Sequence, residues 1–234
     1  MALRVEELAK TIDHSLLAPT ATVQDIDRLC EEAWEYHFAS ACVLPAFVPH
    51  VVERLRGCDV KVCTVVSFPF GADSSKAKIA AAENAVANGA DELDCVLNMP
   101  LLLSGDFRYV RDELVALVRA VRVKSVNVGK GIVIVKAILE CAYLDDKLKK
   151  LVCKIVEDAG ADFVETSTGF ANGGATLHDV ELLRDTLPES VGVKAAGGIE
   201  TVEDAEQMVG AGAGRIGTSA AVSIMLAFAE LRRA

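Results

Sequence analysis

Short apolar runs that are rich in β-branched residues recur along the chain, and a longer segment with helical periodicity follows each of them. The runs predict eight strands, at residues 10–16, 39–44, 61–67, 92–97, 132–139, 162–167, 190–195 and 214–218. Their mean spacing of about 29 residues is close to the length of one strand–helix unit. The inner runs are apolar almost throughout, which is typical of parallel strands that are covered on their outer face.

Eight strands of this kind can form either an open doubly wound sheet or a closed barrel. Eight regular units within 234 residues favour the barrel. We therefore predict an α/β fold, a (β/α)8 TIM barrel with an N-terminal helix, in which residues 1–234 form a single domain.

An internal repeat indicates which side chains point into this barrel. A helix end, a glycine and a strand follow one another in three segments, AVANGADELDCV (85–96), VEDAGADFVETS (156–167) and MVGAGAGRIGTS (208–219). The glycine is expected to end the helix as a C′ residue. Five positions after it come Asp94, Glu165 and Gly217, each preceded by an apolar residue. Because strand side chains alternate, the apolar residues should face the helices and these three positions the barrel interior.

A second, shorter repeat adds two lysines to the interior. The segments IVKA (134–137) and GVKA (192–195) place Lys136 and Lys194 within two apolar strands. Buried charges are normally paired and their pKa values are perturbed, so an internal ion network without a catalytic role is one interpretation. Charges on four strands, which would be Asp94, Lys136, Glu165 and Lys194, favour a catalytic site, because barrel enzymes place theirs at the carboxyl ends of the strands.

Glycine-rich loops follow the last three predicted strands, in the segments TSTGF (166–170), AAGGIE (195–200) and GTSA (217–220). Small residues allow backbone amides to approach an anion closely, and barrels often bind phosphate at the loops after strands seven and eight. Ordinary turns are the alternative for any one of these loops. Two adjacent loops together favour a phosphate site.

Composition narrows the class of partner. A formal net charge of −10 argues against nucleic-acid binding, and no apolar run is long enough to suggest a membrane span.

The N-terminus lacks the apolar core of a signal peptide. Seven scattered cysteines without a CxxC pair indicate reduced thiols in the cytoplasm rather than disulfides or a zinc site. Cys42 is more typical of a small buried hydrophobe than of a nucleophile.

The whole chain resembles the 2-deoxyribose-5-phosphate aldolase family. The matching segments, in family order, are TIDHSLLAPTAT (11–22), ACVLP (41–45), SFPFG (67–71), NGADELDCVLN (88–98), VKAILE (135–140), DFVETSTGF (162–170), VGVKAAGGI (191–199) and RIGTSAA (215–221). The resemblance implies a class I aldolase of deoxyribonucleotide catabolism on a (β/α)8 barrel. Such an enzyme reversibly cleaves 2-deoxy-D-ribose 5-phosphate to glyceraldehyde 3-phosphate and acetaldehyde, with no metal and no cofactor.

The resemblance also implies a homodimer or homotetramer and a set of site residues. Lys194 matches a second family lysine that lowers the pKa of the first, and Asp94 matches the aspartate of a proton relay. We expect these two, Lys136 and Glu165 to be the catalytic positions. The residues expected to bind the sugar phosphate and the aldehydes are Asp13, Cys42, Thr166, Gly169, Gly197, Gly198, Gly217, Thr218 and Ser219.

The central departure from the family is Glu165, which stands where the family has its Schiff-base lysine. A glutamate has no amine and cannot form an imine, and beside Lys194 it should favour the ammonium form of that lysine. Further departures are Ala18 for lysine, Ser15 for threonine, Leu44 for asparagine, Ser67 for glycine and Glu200 for a basic residue. Glu200 would repel a phosphate if it pointed inward.

Three hypotheses about function follow. In the first hypothesis, the chain is an aldolase scaffold whose imine mechanism has been removed, by divergence or by design. Alternatively it is an active enzyme in which Lys194 or Lys136 forms the imine and Glu165 or Asp94 is the general base. The third hypothesis is a non-catalytic sugar-phosphate binder on the same barrel.

Overall fold

The computed structural model describes residues 3–232, and its eight parallel strands close into a barrel in chain order. The strands are β1 (Ile12–Leu16), β2 (Ser40–Val43), β3 (Lys61–Val66), β4 (Glu92–Val96), β5 (Ile134–Ile138), β6 (Phe163–Glu165), β7 (Gly192–Ala196) and β8 (Arg215–Thr218). Each lies within a predicted run, except that β7 extends by one residue to Ala196. The prediction of a (β/α)8 barrel is therefore confirmed.

Helices follow the strands and surround the barrel, after a short N-terminal helix that the sequence also predicts. They are α1 (Val5–Ala9), α2 (Val23–Tyr36), α3 (Val48–Arg54), α4 (Ser75–Ala87), α5 (Met99–Leu103), α6 (Phe107–Asn127), α7 (Asp146–Ala159), α8 (Leu177–Thr186), α9 (Val202–Gly210) and α10 (Ala221–Leu231). Within residues 3–232, no helix has the length and apolar character needed to cross a membrane.

Local sequence explains where several of these helices begin and end. The side chains of Thr22, Asp145 and Thr201 each accept a hydrogen bond from a backbone N–H of the first turn, which satisfies a donor that has no partner within the helix. At the other end, Gly160 adopts φ 73° directly after α7. That left-handed conformation favours glycine, so the chain turns there from the helix into β6.

The main apolar core lies between the barrel and its helices. Leu93, Val164 and Ile216, the residues just before the three repeat positions, are fully buried in it. The opposite face of the same strands lines the barrel interior. There the apolar cluster is small, consisting of Cys42, Cys63 and Val65 with three partly buried neighbours, and most of the remaining interior positions near the middle of the barrel are polar.

Candidate active site

A cavity of about 340 Å³, here called the central cavity, opens at the carboxyl ends of the strands. Asp94, Glu165 and Lys194 form its charged floor. Its apolar walls include Leu16, Val65, Phe68, Ile138 and Phe170. The mouth is formed by the glycine-rich loops, through Gly169, Gly197, Gly198, Thr218, Ser219 and Glu200. The cavity therefore combines a charged end, an apolar middle and a backbone-rich entrance.

Strand register places the floor charges beside one another. Asp94 on β4 is level with Lys136 on β5, and Glu165 on β6 is level with Lys194 on β7. Nζ of Lys136 lies 2.8 Å from Oδ1 of Asp94, and Nζ of Lys194 lies 2.5 Å from its Oδ2. Nζ of Lys194 also lies 3.2 Å from Oε1 of Glu165. Asp94 thus bridges the two ammonium groups.

A second layer of charges lies beneath this floor. Asp13 Oδ2 approaches Nζ of Lys136 at 3.3 Å and Nζ of Lys194 at 3.1 Å, while its Oδ1 accepts bonds from Ser40 and from Arg215. Glu92 lies 2.7 Å from Lys136 and 3.0 Å from Arg215. We call the seven ionisable groups the ion cluster: Asp13, Glu92, Asp94, Lys136, Glu165, Lys194 and Arg215.

Electrostatics within the ion cluster keep both lysines charged. Burial alone would lower their pKa values, but nearby carboxylates raise both pKa values well above the ordinary lysine value. For Lys136 these carboxylates are chiefly Asp13 and Asp94. For Lys194 they are chiefly Asp94 and Glu165. Burial likewise opposes ionisation of Asp94, yet the two ammonium groups outweigh it and lower the pKa of that carboxyl. At neutral pH the three side chains are therefore ionised.

Glu165 behaves differently from the other carboxyl groups. Burial raises its pKa to about 8; the neighbouring Asp94 carboxylate acts in the same direction, and Lys194 and Lys136 act against it. Its Oε2 atom is buried and has no hydrogen-bond partner among the described residues. With Glu165 protonated, the ion cluster holds three carboxylates and three cations, so its charges balance.

Glycines shape the floor and the mouth where a side chain would not fit. A Cβ at Gly174 would lie 2.2 Å from the carbonyl oxygen of Gly197, so the loop after β6 packs directly on the loop after β7. Gly197 itself has φ 90°, which favours glycine. On β8, a Cβ at Gly217 would lie 3.0 Å from Cε of Lys194, so this glycine leaves room for the lysine side chain.

Most of the residues that the sequence singles out line the central cavity. They are Asp94, Glu165 and Lys194 on the floor, Cys42 beside it, and Gly169, Gly197, Gly198, Gly217, Thr218 and Ser219. Cys42 is buried in the small apolar cluster, as predicted, and its Sγ lies 3.6 Å from Asp94 Oδ2.

Three of the predicted site residues do not line the cavity. Asp13 and Lys136 are fully buried in the ion cluster, where they contact its charges instead of the cavity. Thr166 is also fully buried, and its hydroxyl bonds both to the carbonyl oxygen and to the N–H of Ala196. Asp13, Lys136 and Thr166 therefore lie outside the cavity lining, and the roles expected for them in binding and catalysis stay predictions.

Sequence reasoning missed Glu92 and Arg215, which complete the ion cluster. Each stands two positions before an interior residue that the repeat identifies, Asp94 and Gly217 respectively. The same period-2 alternation that finds those two residues also places Glu92 and Arg215 inside the barrel. Glu92 and Arg215 are the first residues of β4 and β8, whereas the prediction of a catalytic site concerns the carboxyl ends of the strands.

Cys42, Cys63 and Asp94 are the one group of described residues in which three possible metal-ligand atoms lie within 4.8 Å of one another. Their surroundings do not suit a metal ion. Both oxygens of Asp94 already bind ammonium groups, and Nζ of Lys136 lies 3.4 Å from Sγ of Cys63. Burial raises the pKa of the Cys63 thiol, which disfavours the thiolate that a metal would need.

The residues that depart from the family pattern lie in different places. Ala18 and Glu200 line the cavity, and Glu200 is exposed at its mouth. Leu44 packs against the small apolar cluster, and the Ser67 hydroxyl bonds to Asp73, 2.8 Å away. Ser15, the fifth departure, also lines the cavity. Of these five departures, Glu200 places a negative charge beside the predicted phosphate loops.

Comparison with known proteins agrees with this arrangement. The family model for DeoC/LacD family aldolases matches residues 7–224. Deoxyribose-phosphate aldolase from Caldanaerobacter subterraneus subsp. tengcongensis is 51% identical over 218 residues, covering 93% of this chain and 92% of that protein. The corresponding enzyme from Thermoanaerobacter pseudethanolicus is 50% identical over 217 residues, covering 93% and 95%.

Solved structures lead to the same conclusion. A deoxyribose phosphate aldolase from Aeropyrum pernix, described as having a unique tetrameric structure, matches with a TM-score of 0.88 at 36% identity, covering 97% of this chain and 93% of that one. The family model, the relatives and this structure span nearly the whole chain. The chain therefore belongs to the DeoC/LacD family of aldolases.

Proposed function

We propose that this chain has the binding pocket and the substrate of a deoxyribose-phosphate aldolase-type lyase, and that Glu165 impairs the imine step of the reaction. The substrate is 2-deoxy-D-ribose 5-phosphate, and the products are glyceraldehyde 3-phosphate and acetaldehyde. The observation that carries the proposal is the contact of 3.2 Å between Glu165 and Lys194 at the floor of the cavity. The charged residues of the floor contact one another within the ion cluster. At the position where the family has its nucleophile, however, the floor has a carboxyl group.

The pocket suits a short phosphorylated aldehyde. Backbone amides of the glycine-rich loops at Gly169, Gly197 and Gly198, with the hydroxyl of Ser219, would hold the phosphate at the mouth. The apolar walls would contact the carbon chain. The aldehyde carbon would then lie toward Asp94, Glu165 and Lys194, where the charges of the cavity are concentrated.

The imine step requires a neutral amine, and this site disfavours one. An imine forms when the lone pair of a lysine attacks the aldehyde carbon, and desolvation or a neighbouring cation normally frees that lone pair. Here carboxylates raise the pKa values of Lys136 and Lys194 instead. Neither lysine is therefore a good replacement for the missing nucleophile.

A non-catalytic sugar-phosphate binder is the second candidate function. It is favoured by one contrast within the cavity: the glycine-rich loops at its mouth are intact, whereas the floor has no free amine. Both candidates require the same ligand in the same place. They differ in whether any turnover remains once that ligand is bound.

We further propose that residues 1–234 act as one barrel domain in a homo-oligomer of the cytoplasm. The tetrameric structure of the Aeropyrum pernix relative supports oligomer formation. Seven free cysteines, six of them buried, support a reducing compartment. Analytical ultracentrifugation tests the oligomer directly, and a monomer at micromolar concentration would overturn that part of the proposal.

Calorimetric titration with 2-deoxyribose 5-phosphate tests the binding site. We expect saturable binding that Gly197→Ala weakens by roughly 10-fold, because a Cβ there would meet Gly174 and Gly169 in a backbone conformation that favours glycine. Gly57→Ala is the matched control, since Gly57 also has positive φ but has open space around it and lies outside the cavity. Absence of binding to the unmodified chain would overturn the proposal.

A further inference from the structure

Glu165 has an unused hydrogen-bonding atom at the floor of the central cavity. The residue is 4% exposed and lines the cavity, and its Oε1 contacts Lys194 while its Oε2 has no partner among residues 3–232. Asp94, the other carboxylate of the floor, binds an ammonium group through each of its oxygens. Of these two carboxyl groups, Glu165 is thus the one with an atom free to receive a proton.

The basicity of Glu165 suits proton transfer near neutral pH. Burial raises its pKa to about 8, with Asp94 acting in the same direction and Lys194 and Lys136 against it. A general base is most effective when its pKa lies near the working pH. Asp94 beside it stays ionised, so the two carboxyl groups of the floor are separated in role by their surroundings.

Lys194 supplies the complementary group. Its ammonium contacts Asp94 at 2.5 Å, Asp13 at 3.1 Å and Glu165 at 3.2 Å, and the contact with Glu165 is the longest of the three. A carbonyl oxygen that takes the place of Glu165 as acceptor would receive a hydrogen bond from a full positive charge. The carbon next to that carbonyl would then lie beside the released carboxylate of Glu165.

We propose that Glu165 is a catalytic base that removes a hydrogen from C2 of bound 2-deoxyribose 5-phosphate, with no covalent bond to a lysine. The inference rests on the proposed function for the identity of the ligand, but it goes beyond it in the reaction. This activity is reversible enolisation of a phosphorylated aldehyde. It uses the residue that prevents the imine step.

The step balances without any further reactant. The Glu165 carboxylate takes the C2 proton, and the electron pair of that C–H bond forms the C1–C2 double bond. The carbonyl π pair takes a proton from the Lys194 ammonium, which gives the enol. Reversal returns both protons, no carbon–carbon bond breaks, and nothing is oxidised. In D2O the Glu165 carboxyl exchanges its proton with solvent, so the returning hydrogen is deuterium.

Deuterium incorporation at C2, followed by proton NMR with 2-deoxyribose 5-phosphate in D2O, tests the inference. We expect exchange by the unmodified chain to be at least about 10²-fold faster than by Glu165→Gln, which keeps the shape and removes the base. Glu203→Gln makes the same chemical change on the exposed start of α9, outside the cavity, and should keep the exchange rate. Equal rates for the unmodified chain and Glu165→Gln would overturn the inference.

Four further measurements make the outcome decisive. A cooperative thermal unfolding transition shows that Glu165→Gln is folded. The exchange rate of the unmodified chain should rise with pH and level off above about 8, as Glu165 becomes ionised, and a flat profile would contradict the base role. Exchange that stops after borohydride reduction with acetaldehyde would show a lysine imine and overturn the inference. Calorimetric binding without C2 exchange overturns this inference alone, whereas failure to bind the sugar phosphate overturns the proposed function as well.

Discussion

Glu165 on β6 and Lys194 on β7 are level in the sheet, and their side chains meet at 3.2 Å in the barrel interior. A lysine in the place of Glu165 would add a fourth cation to three carboxylates, and the excess positive charge would lower the pKa of a buried amine. With a carboxyl group there, the cluster instead contains four carboxyl groups and three cations. The two existing lysines then remain ammonium ions.

The first prediction concerns stability and pH. The pKa of Glu165 rises from 4.5 in the reference state to about 8 in the folded chain, so between these values the folded state binds the proton more tightly than the unfolded state does. Its contribution to stability should therefore fall as pH increases through this range. We expect the unmodified chain to lose on the order of 1 kcal/mol per pH unit relative to Glu165→Gln. Urea unfolding of both proteins at about pH 5 and about pH 9 measures the difference.

Asp94, Lys136 and Lys194 are the charged groups that face Glu165, and all three keep their charge throughout this pH range. Because both proteins contain them, their contributions cancel in the comparison. A stability difference between the two proteins that does not change with pH would contradict the raised pKa of Glu165.

The second prediction concerns Gly217. A methyl group there would lie 3.0 Å from Cε of Lys194 and 3.0 Å from Cβ of Ala196, so Gly217→Ala should push the lysine away from Asp94. We expect a loss of about 1–3 kcal/mol in the free energy of unfolding, as is usual for overpacking. Gly214→Ala is the control just before the same strand, since its Cβ would meet nothing closer than 3.9 Å. Equal stability of the two variants would argue against tight packing around Lys194.

The third prediction concerns the negative charge at the mouth. Glu200 is exposed and lines the cavity beside the glycine-rich loops, so Glu200→Gln should strengthen phosphate binding. An interaction between exposed charges contributes at most about 1 kcal/mol. Removing the repulsion between Glu200 and a phosphate should therefore lower Kd by up to about 5-fold. Calorimetric titration with inorganic phosphate and with 2-deoxyribose 5-phosphate measures the change in Kd. Glu203→Gln, outside the cavity, should leave Kd unchanged, and the same change in both variants would show a general charge effect only.

The barrel could be predicted because its signals are local and repeated. Each strand is a short apolar run, and Gly89, Gly160 and Gly212 all adopt positive φ, as the three predicted helix ends require. The repeat then orients the strands, so that Asp94 and Glu165 point inward and Leu93 and Val164 point toward the helices. These features depend on neighbours in sequence and on alternation along one strand.

The parts of the site that could not be predicted depend on contacts between distant strands. Asp13 on β1 approaches Lys136 on β5 across the barrel, and Arg215 on β8 reaches Glu92 on β4. Such contacts follow from the tilt and closure of the barrel, which the sequence pattern does not specify. The sequence pattern also does not distinguish Thr166, whose hydroxyl bonds to the backbone of Ala196 on the adjacent strand β7, from Gly169, which lines the cavity.

We propose above all that Glu165 prevents imine formation at the floor of the central cavity in this member of the DeoC/LacD aldolase family. Borohydride reduction in the presence of acetaldehyde, followed by intact-mass and peptide mass spectrometry, tests it in the unmodified chain and in Glu165→Lys. We expect Lys194 and Lys136 to remain unmodified in the first protein. We expect one reduced adduct on the introduced lysine in the second, with cleavage activity higher by roughly two orders of magnitude or more. A stoichiometric adduct on Lys194 or Lys136 of the unmodified chain would contradict the claim.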